Sequence, residues 1–165
     1  MKFEKETINI VKNKLVKTLC KKVEHKIKES KLQLAKLLQA ASEAPGAMQS
    51  QHCGLKAEFS RLASNMQDKI NQLQKDFEFL QSYKVEDLNK EIVLAGSLVE
   101  VNHDSEKKFY FVFPVCGGEI VELKDLNEKI IVVTLRSPLG DSLLNKKVGH
   151  SLKIRDKDLK IINIF

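Results

Sequence analysis

Apolar residues in the first half of the chain recur at intervals of three and four, which is the spacing of an amphipathic helix. Two such stripes are present, and residues 1–44 contain neither proline nor glycine. The first stripe comprises Ile8, Val11, Leu15, Leu19, Val23, Ile27, Leu34, Leu38 and Ala41, and the second comprises Leu55, Phe59, Leu62, Met66, Ile70, Leu73, Phe77 and Leu80. Steps of four and three alternate almost strictly in the second stripe, as in a coiled coil. The pattern predicts two long helices that bury each other's apolar face.

A turn between the two stripes is predicted at Pro45 and Gly46, because proline cannot continue a helix and glycine favours a reversal. Ser50 is a candidate N-cap for the second helix. Two helices joined by so short a turn run antiparallel. The predicted neighbours are Leu38 and Leu55, Leu34 and Phe59, Ile27 and Met66, and Val23 and Ile70. A helix from Ile8 to Ala41 is about 50 Å long, so this hairpin, residues 1–84, is expected to protrude.

From Ile92 onwards the period of the pattern changes to two, which is typical of strands. The predicted strands are Ser97–Val101, Phe109–Val115, Ile130–Leu135, Leu152–Ile154 and Leu159–Phe165. Ile130–Leu135 is apolar on both faces, as expected of a central strand. Ser137-Pro138 precedes a short predicted helix, Leu139–Asn145. After a polar linker at Val85–Glu91, residues 92–165 are therefore predicted to form a small antiparallel β domain with one short helix, which makes the chain α+β.

Positive charge is concentrated in the predicted first helix. Residues 1–36 hold 11 Lys against four Glu, while the net charge of the whole chain is +6. A basic arm of this kind suggests an anionic partner, either nucleic acid or an acidic protein surface, although a solvated helix face has the same composition. The three cysteines lack the spacing of a metal or redox motif. Because the sequence shows no signal peptide and no membrane-spanning run, we expect a soluble cytoplasmic protein.

The segment from Ser137 to Gly149 has a specific spacing. Ser137-Pro138 is followed by the aliphatic pair Leu143-Leu144, then by Lys146 and by Gly149 before the next predicted strand. This arrangement resembles the C-terminal domain of the Gre family of bacterial transcription elongation factors. The apolar strand Ile130–Leu135 and the acidic, polar stretch Glu119–Glu128 also lie where that family has them. The detailed resemblance covers residues 95–165, and the predicted hairpin resembles the family in architecture only.

The resemblance implies an FKBP-like fold for the C-terminal domain and a bacterial RNA polymerase as the partner. It implies that the C-terminal domain docks on the rim of the polymerase secondary channel, for which Glu119, Ser137 and Pro138 are the candidate contacts. It also implies that the hairpin enters the channel as part of a monomer and brings its tip beside the catalytic Mg²⁺. In cleavage-competent members an acidic pair at this tip helps to hold a second Mg²⁺, so that the polymerase hydrolyses its own backtracked transcript.

The predicted tip departs from that pattern, because Glu43 is followed by no carboxylate until Glu58. The remaining candidate contacts of the tip with the polymerase active centre are Met48, Gln49, Ser50, Gln51 and His52. Amides and hydroxyls are weak ligands for Mg²⁺. We therefore expect a regulator without transcript-cleavage activity, without a bound metal or cofactor, and without catalysis of its own. Lys28, Lys31 and Lys36 are nearest the tip and are the candidates for contact with the RNA 3′ end or the polymerase.

Three other functions remain open. One alternative is a cleavage-stimulating factor that uses Glu43, and a helical hairpin is also typical of scaffolds and chaperones. An FKBP-like fold has prolyl isomerase activity in other families, but that site needs an aromatic pocket, commonly with a Trp floor, and this chain has no Trp. A metal or reactive site at His52-Cys53 would need further ligands, and the other three histidines are remote in sequence.

Overall fold

The structure is a computed structural model that describes residues 5–44, 53–85, 91–103, 106–123, 128–154 and 157–165. Two long helices come first, α1 (Lys5–Glu43) and α2 (Cys53–Ser82). They are followed by β1 (Leu98–His103), β2 (Glu106–Phe113), β3 (Ile120–Leu123), β4 (Glu128–Thr134), α3 (Pro138–Leu143), β5 (Ser151–Ile154) and β6 (Lys157–Ile164). The predicted α+β class is confirmed. No described helix has an apolar stretch long enough to cross a membrane.

The chain divides into two compact units. The sheet unit combines Met1–Leu19 with Tyr83–Phe165, and the helical unit is Cys20–Ser82. The first part of α1 therefore belongs with the sheet, whereas the sequence assigned residues 1–84 to one hairpin and residues 92–165 to the β domain. How far a hairpin protrudes from the rest stays a prediction.

Burial in the helical unit follows a strict heptad on both helices. Along α1 the buried and half-buried positions include Val23, Ile27, Ser30, Leu34, Leu37 and Ala41, and along α2 they include Phe59, Ala63, Met66, Ile70, Leu73, Phe77 and Leu80. Both series advance in alternating steps of four and three, so the predicted coiled-coil period is confirmed. α1 ends before Pro45, as its sequence predicts.

Three leucines of the predicted stripes are not buried, and this part of the prediction is wrong. Leu38 is 54% exposed, Leu55 40% and Leu62 36%. Leu37 and Ala63 are buried or half-buried instead of Leu38 and Leu62. Ser30, which is 3% exposed, fills the heptad position between Ile27 and Leu34. A prediction from hydrophobicity alone selects the exposed leucine next to a buried position, whereas the helical period selects the residue that faces the neighbouring helix.

The six strands form one sheet in the order β3-β4-β2-β1-β6-β5. All neighbouring pairs are antiparallel except β2 and β4, which run parallel from the Phe109–Ile130 pair to the Phe113–Thr134 pair. The prediction of a purely antiparallel domain is therefore wrong. The cause is β3, which lies in the stretch interpreted as acidic and polar. The chain reverses into β3 and again into β4, so β4 returns in the direction of β2 and inserts between β2 and β3.

Both faces of the sheet bury apolar side chains. On one face a core forms around Val99, Val101, Tyr110, Val112, Val133, Leu143, Leu159 and Ile161. The opposite face carries Phe109, Phe111 and Phe113, which are also buried. The rings of Phe111 and Phe113 stack with centroids 4.8 Å apart, and the edge of Tyr83 meets Phe113 at the same distance. The three phenylalanines therefore share one face, and β2 is a central strand buried on both sides.

Candidate functional site

The Ser-Pro motif forms the start of α3. Ser137 is the N-cap, and its hydroxyl oxygen accepts a hydrogen bond of 3.0 Å from the Gly140 amide. The same hydroxyl donates to the carbonyl oxygen of Thr134 at 2.7 Å. Pro138 occupies the first turn, where its missing N–H costs nothing. The motif therefore ties the end of β4 to the beginning of α3 and fixes where the chain leaves the sheet.

Gly140 lets α3 approach the end of β4 closely. A Cβ atom at this position would overlap the carbonyl oxygen of Thr134 and lie 3.1 Å from Ser137 Oγ. Any other residue would force α3 away from the strand. Gly140 is thus required by the packing of backbone against backbone, and the short helix is held against the sheet through it.

An open groove of about 360 Å³ lies beside this cap. It is lined by Gly117, Gly118, Ile131, Val132, Val133, Thr134, Ser137 and Leu139, and we call it the apolar groove. Gly117 leaves space at the bottom of the groove, because a Cβ atom there would lie 2.6 Å from the Thr134 methyl group. Ile120 lies across from Ile131 in the β3–β4 pair and is 49% exposed. The groove is a shallow concave surface suited to an apolar side chain of a partner.

The three predicted docking residues are gathered around the apolar groove. Ser137 lines it, and Pro138 follows as an exposed residue. Glu119 adjoins the lining residue Gly118, and its backbone carbonyl accepts a hydrogen bond of 2.8 Å from Val132 N. Residues that are about 18 positions apart in the sequence are thus brought to one end of β4.

The three predicted lysine contacts are all exposed on α1 within the helical unit. Lys28 pairs with Glu24 at 3.0 Å, one turn away on the same helix. Among the described residues, Lys31 and Lys36 have no ion-pair partner, and their charges are available to an anion. Exposed pairs such as Lys28–Glu24 are weak, so a phosphate can replace the carboxylate at little cost.

Glu43 is the last residue of α1 and is exposed. Its carboxylate accepts a hydrogen bond of 2.8 Å from Gln39 Nε2. The other predicted tip residues, Met48, Gln49, Ser50, Gln51 and His52, lie outside the described residues. Within the described part of the chain, no three His, Cys, Asp or Glu side chains are grouped so that they could hold a metal ion.

The helical unit also contains a free thiol at Cys20, which is half-buried. Burial raises the pKa of Cys20, and the nearby negative charge of Glu24 raises it further. The thiolate is the reactive form of cysteine, so this environment lowers its reactivity.

Sequence reasoning missed most of the apolar groove. Gly117 and Gly118 lie between the predicted elements, and Ile131 and Leu139 belong to a predicted strand and a predicted helix without any sign of a groove. The available signal was the apolar pair Ile120-Val121, within an acidic stretch that begins directly after two glycines. Its significance depends on β3 pairing with β4, which the sequence does not reveal.

No protein-family model matches the chain, and no curated protein matches it. Among solved structures it is similar to transcription factors described as GreA factor homologs. These are the GreA factor homolog 1 (Gfh1) of Thermus thermophilus, at 15% identity over 88% of this chain and 94% of that one with a TM-score of 0.37, and Gfh1 of Thermus aquaticus, at 20% identity over 92% of each chain with a TM-score of 0.33. A further Gfh1 structure gives 14% identity and a TM-score of 0.36. A likeness of this size does not establish the family.

Proposed function

We propose that this chain is a transcription elongation regulator that binds a bacterial RNA polymerase. In this proposal the sheet unit docks on the rim of the secondary channel and the helical pair enters it. The observation that carries the proposal is the position of the Ser-Pro motif. Ser137, the first residue of the segment that resembles Gre-family domains, caps α3 and lines the apolar groove.

The chemistry of the groove supports a protein partner. Its lining is almost wholly apolar, with Ser137 and Thr134 as the polar side chains. The described residues 119–122, which follow the lining residue Gly118, hold two Glu and no Lys or Arg. Protein interfaces commonly place apolar contacts at the centre and charges at the rim. The partner segment expected here therefore presents an aliphatic side chain flanked by Lys or Arg.

The composition around the end of α1 supports a role without transcript cleavage. Glu43 is the sole carboxylate between residues 30 and 57. Mg²⁺ takes several oxygen ligands and favours carboxylates, and two-metal hydrolysis needs the second ion to be held in place. One carboxylate is a poor holder for that ion. We propose that the chain occupies the channel and competes with cleavage factors, using Lys28, Lys31 and Lys36 for contact with RNA or polymerase.

The experiment measures binding of the full chain to bacterial core polymerase, with two matched variants. Ile120→Ser removes an exposed side chain beside the apolar groove. Val148→Ser removes one of equal exposure, 50%, outside the groove. We expect the first to weaken binding by about tenfold, the loss typical of a central apolar contact, and the second to leave it unchanged. Equal affinities for the wild type and both variants would refute docking through the groove.

A second assay separates the alternatives by following the transcript of a stalled, backtracked complex. Binding without RNA shortening is the expected result. Shortening that is lost in Glu43→Ala would show a cleavage-stimulating factor instead. If core polymerase is not bound at all, the scaffold, chaperone and prolyl isomerase functions become the candidates, and a peptidyl-prolyl isomerisation assay distinguishes the last of these.

A further inference from the structure

The two edges of the sheet carry opposite charge. Among the described residues, 119–122 at the β3 edge contain two Glu and no Lys or Arg. The described residues 146–154 and 158–160, at the β5 edge and in β6, contain four Lys against one Asp. The apolar groove lies at the acidic side. The basic side takes no part in the proposed docking and is available for another ligand.

Strand register arranges the basic side into one polar face. Leu152 packs towards the core, so its neighbours Ser151 and Lys153 face the other side of the sheet. Directly paired residues share a side, and Ser151 pairs with Lys160. Lys160 also pairs with Asn102, which in turn pairs with Lys107. The exposed residues Lys107, Asn102, Lys160, Ser151 and Lys153 therefore form one continuous surface across β2, β1, β6 and β5, and we call it the basic face.

Two carboxylates moderate the charge of the basic face. Glu100, which is 5% exposed, holds Lys107 at 3.2 Å and accepts a hydrogen bond of 2.6 Å from Asn163. Asp158 lies opposite Lys153 in the β5–β6 pair. Lys160 forms no ion pair with another described residue. Lys160 is thus the centre of positive charge, with Lys153 beside it at a spacing set by the strands.

The side-chain types favour a phosphate backbone over a protein partner. Lysine, asparagine and serine are common contacts to phosphate oxygens. Among the described residues of 146–160, Val148 is the one large apolar side chain that is strongly exposed. Protein interfaces need an apolar or aromatic centre, whereas nucleic-acid interfaces are more polar and more positive. We infer that the basic face binds the phosphate backbone of nucleic acid, at a surface separate from the lysines of α1.

The inference is tested without polymerase, so its outcome is independent of the proposed function. Binding of the full chain to a fluorescein-labelled RNA strand and to a labelled DNA duplex is followed by anisotropy over a range of salt. The double variant Lys153→Gln, Lys160→Gln removes two charges from the basic face. The control, Lys84→Gln with Lys129→Gln, removes two exposed charges elsewhere in the sheet unit.

We expect the basic-face variant to bind nucleic acid more weakly. The slope of its log binding constant against log salt concentration should fall by about 1 for each lysine lost. The control should keep the affinity and the slope of the wild type. Asp158→Asn should bind about threefold more tightly at low salt, because a repulsive charge is removed. An unchanged affinity in the basic-face variant, or an equal loss in the control, would overturn the inference. Competition by poly-glutamate as strong as that by RNA would show that the face is a site for acidic protein.

Discussion

The amide of Gly140 donates a hydrogen bond of 3.0 Å to the hydroxyl oxygen of Ser137, and this bond closes the first turn of α3. It places the N-terminus of the helix directly over the end of β4, where Ser137 Oγ also reaches the Thr134 carbonyl. Ser137 also lines the apolar groove, so the bond fixes the position of this lining residue. The Ser-Pro motif thus fixes the position of α3 beside the apolar groove.

Ser137→Ala removes the side chain that caps α3. We expect the free energy of unfolding to fall by about 1 kcal/mol, the usual contribution of a serine N-cap. Urea denaturation followed by circular dichroism measures it. Ser142→Ala is the control, because the Ser142 hydroxyl bonds only to the Pro138 carbonyl at 2.7 Å on an exposed surface. Its loss should change stability by less than about 0.5 kcal/mol, and an equal loss in both variants would contradict the role of the cap.

Gly140→Ala should destabilise the sheet unit more than the loss of the cap does. The added methyl group meets the Thr134 carbonyl, so α3 has to shift and the cap opens with it. We expect a loss of about 2 kcal/mol, within the range of overpacked sites. Gly54→Ala is the matched control, because nothing lies within 4 Å of a Cβ there. Alanine in helix α2 should stabilise by up to about 1 kcal/mol. In thermal unfolding we expect the midpoint to fall in Gly140→Ala and to rise in Gly54→Ala.

Ser30→Leu tests whether the buried heptad positions of α1 face those of α2. The predicted register, which pairs Ile27 with Met66 and Leu34 with Phe59, brings Ser30 opposite Ala63. Two small, buried residues leave no room for a leucine, so we expect a loss of about 1–3 kcal/mol. Leu38→Ser, at a position 54% exposed, should cost less than about 1 kcal/mol. If chemical denaturation shows a larger loss for Leu38→Ser than for Ser30→Leu, Leu38 and not Ser30 faces the neighbouring helix.

These positions also show how far the sequence predicts the structure. The period of the helices is local information, and it correctly gave α1, α2 and the coiled-coil spacing. Which residue faces the seam depends on small side chains such as Ser30, which a search for apolar residues passes over. The strand β3 and the parallel β2–β4 pair depend on pairing between distant segments. The acidic residues of 119–128 conceal the alternation of the exposed residues Ile120 and Glu122 with the buried Val121. The candidate docking residues Glu119, Ser137 and Pro138 were predicted through the resemblance and stay a prediction, whereas the apolar groove was not predicted.

Asn163→Ala removes a hydrogen bond to the buried carboxylate of Glu100. We expect a loss on the order of 2 kcal/mol, because the carboxylate oxygen keeps its desolvation cost without a partner. Lys107→Ala removes the other partner of Glu100, but its side chain is 67% exposed and the pair is screened by water. This change should cost less than about 1 kcal/mol. Equal losses in guanidinium unfolding would mean that Asn163 contributes no more than the exposed lysine.

The most direct test of channel entry places a photo-crosslinking amino acid at Glu43 and uses the full chain with a stalled, backtracked polymerase complex carrying labelled RNA. The same group at Lys129, in the sheet unit, is the control. The account predicts crosslinks from position 43 to the RNA 3′ segment or to polymerase segments of the active centre, and none of these from position 129. Crosslinks to the active centre from position 129 alone, or polymerase binding with no such crosslink from position 43, would contradict it.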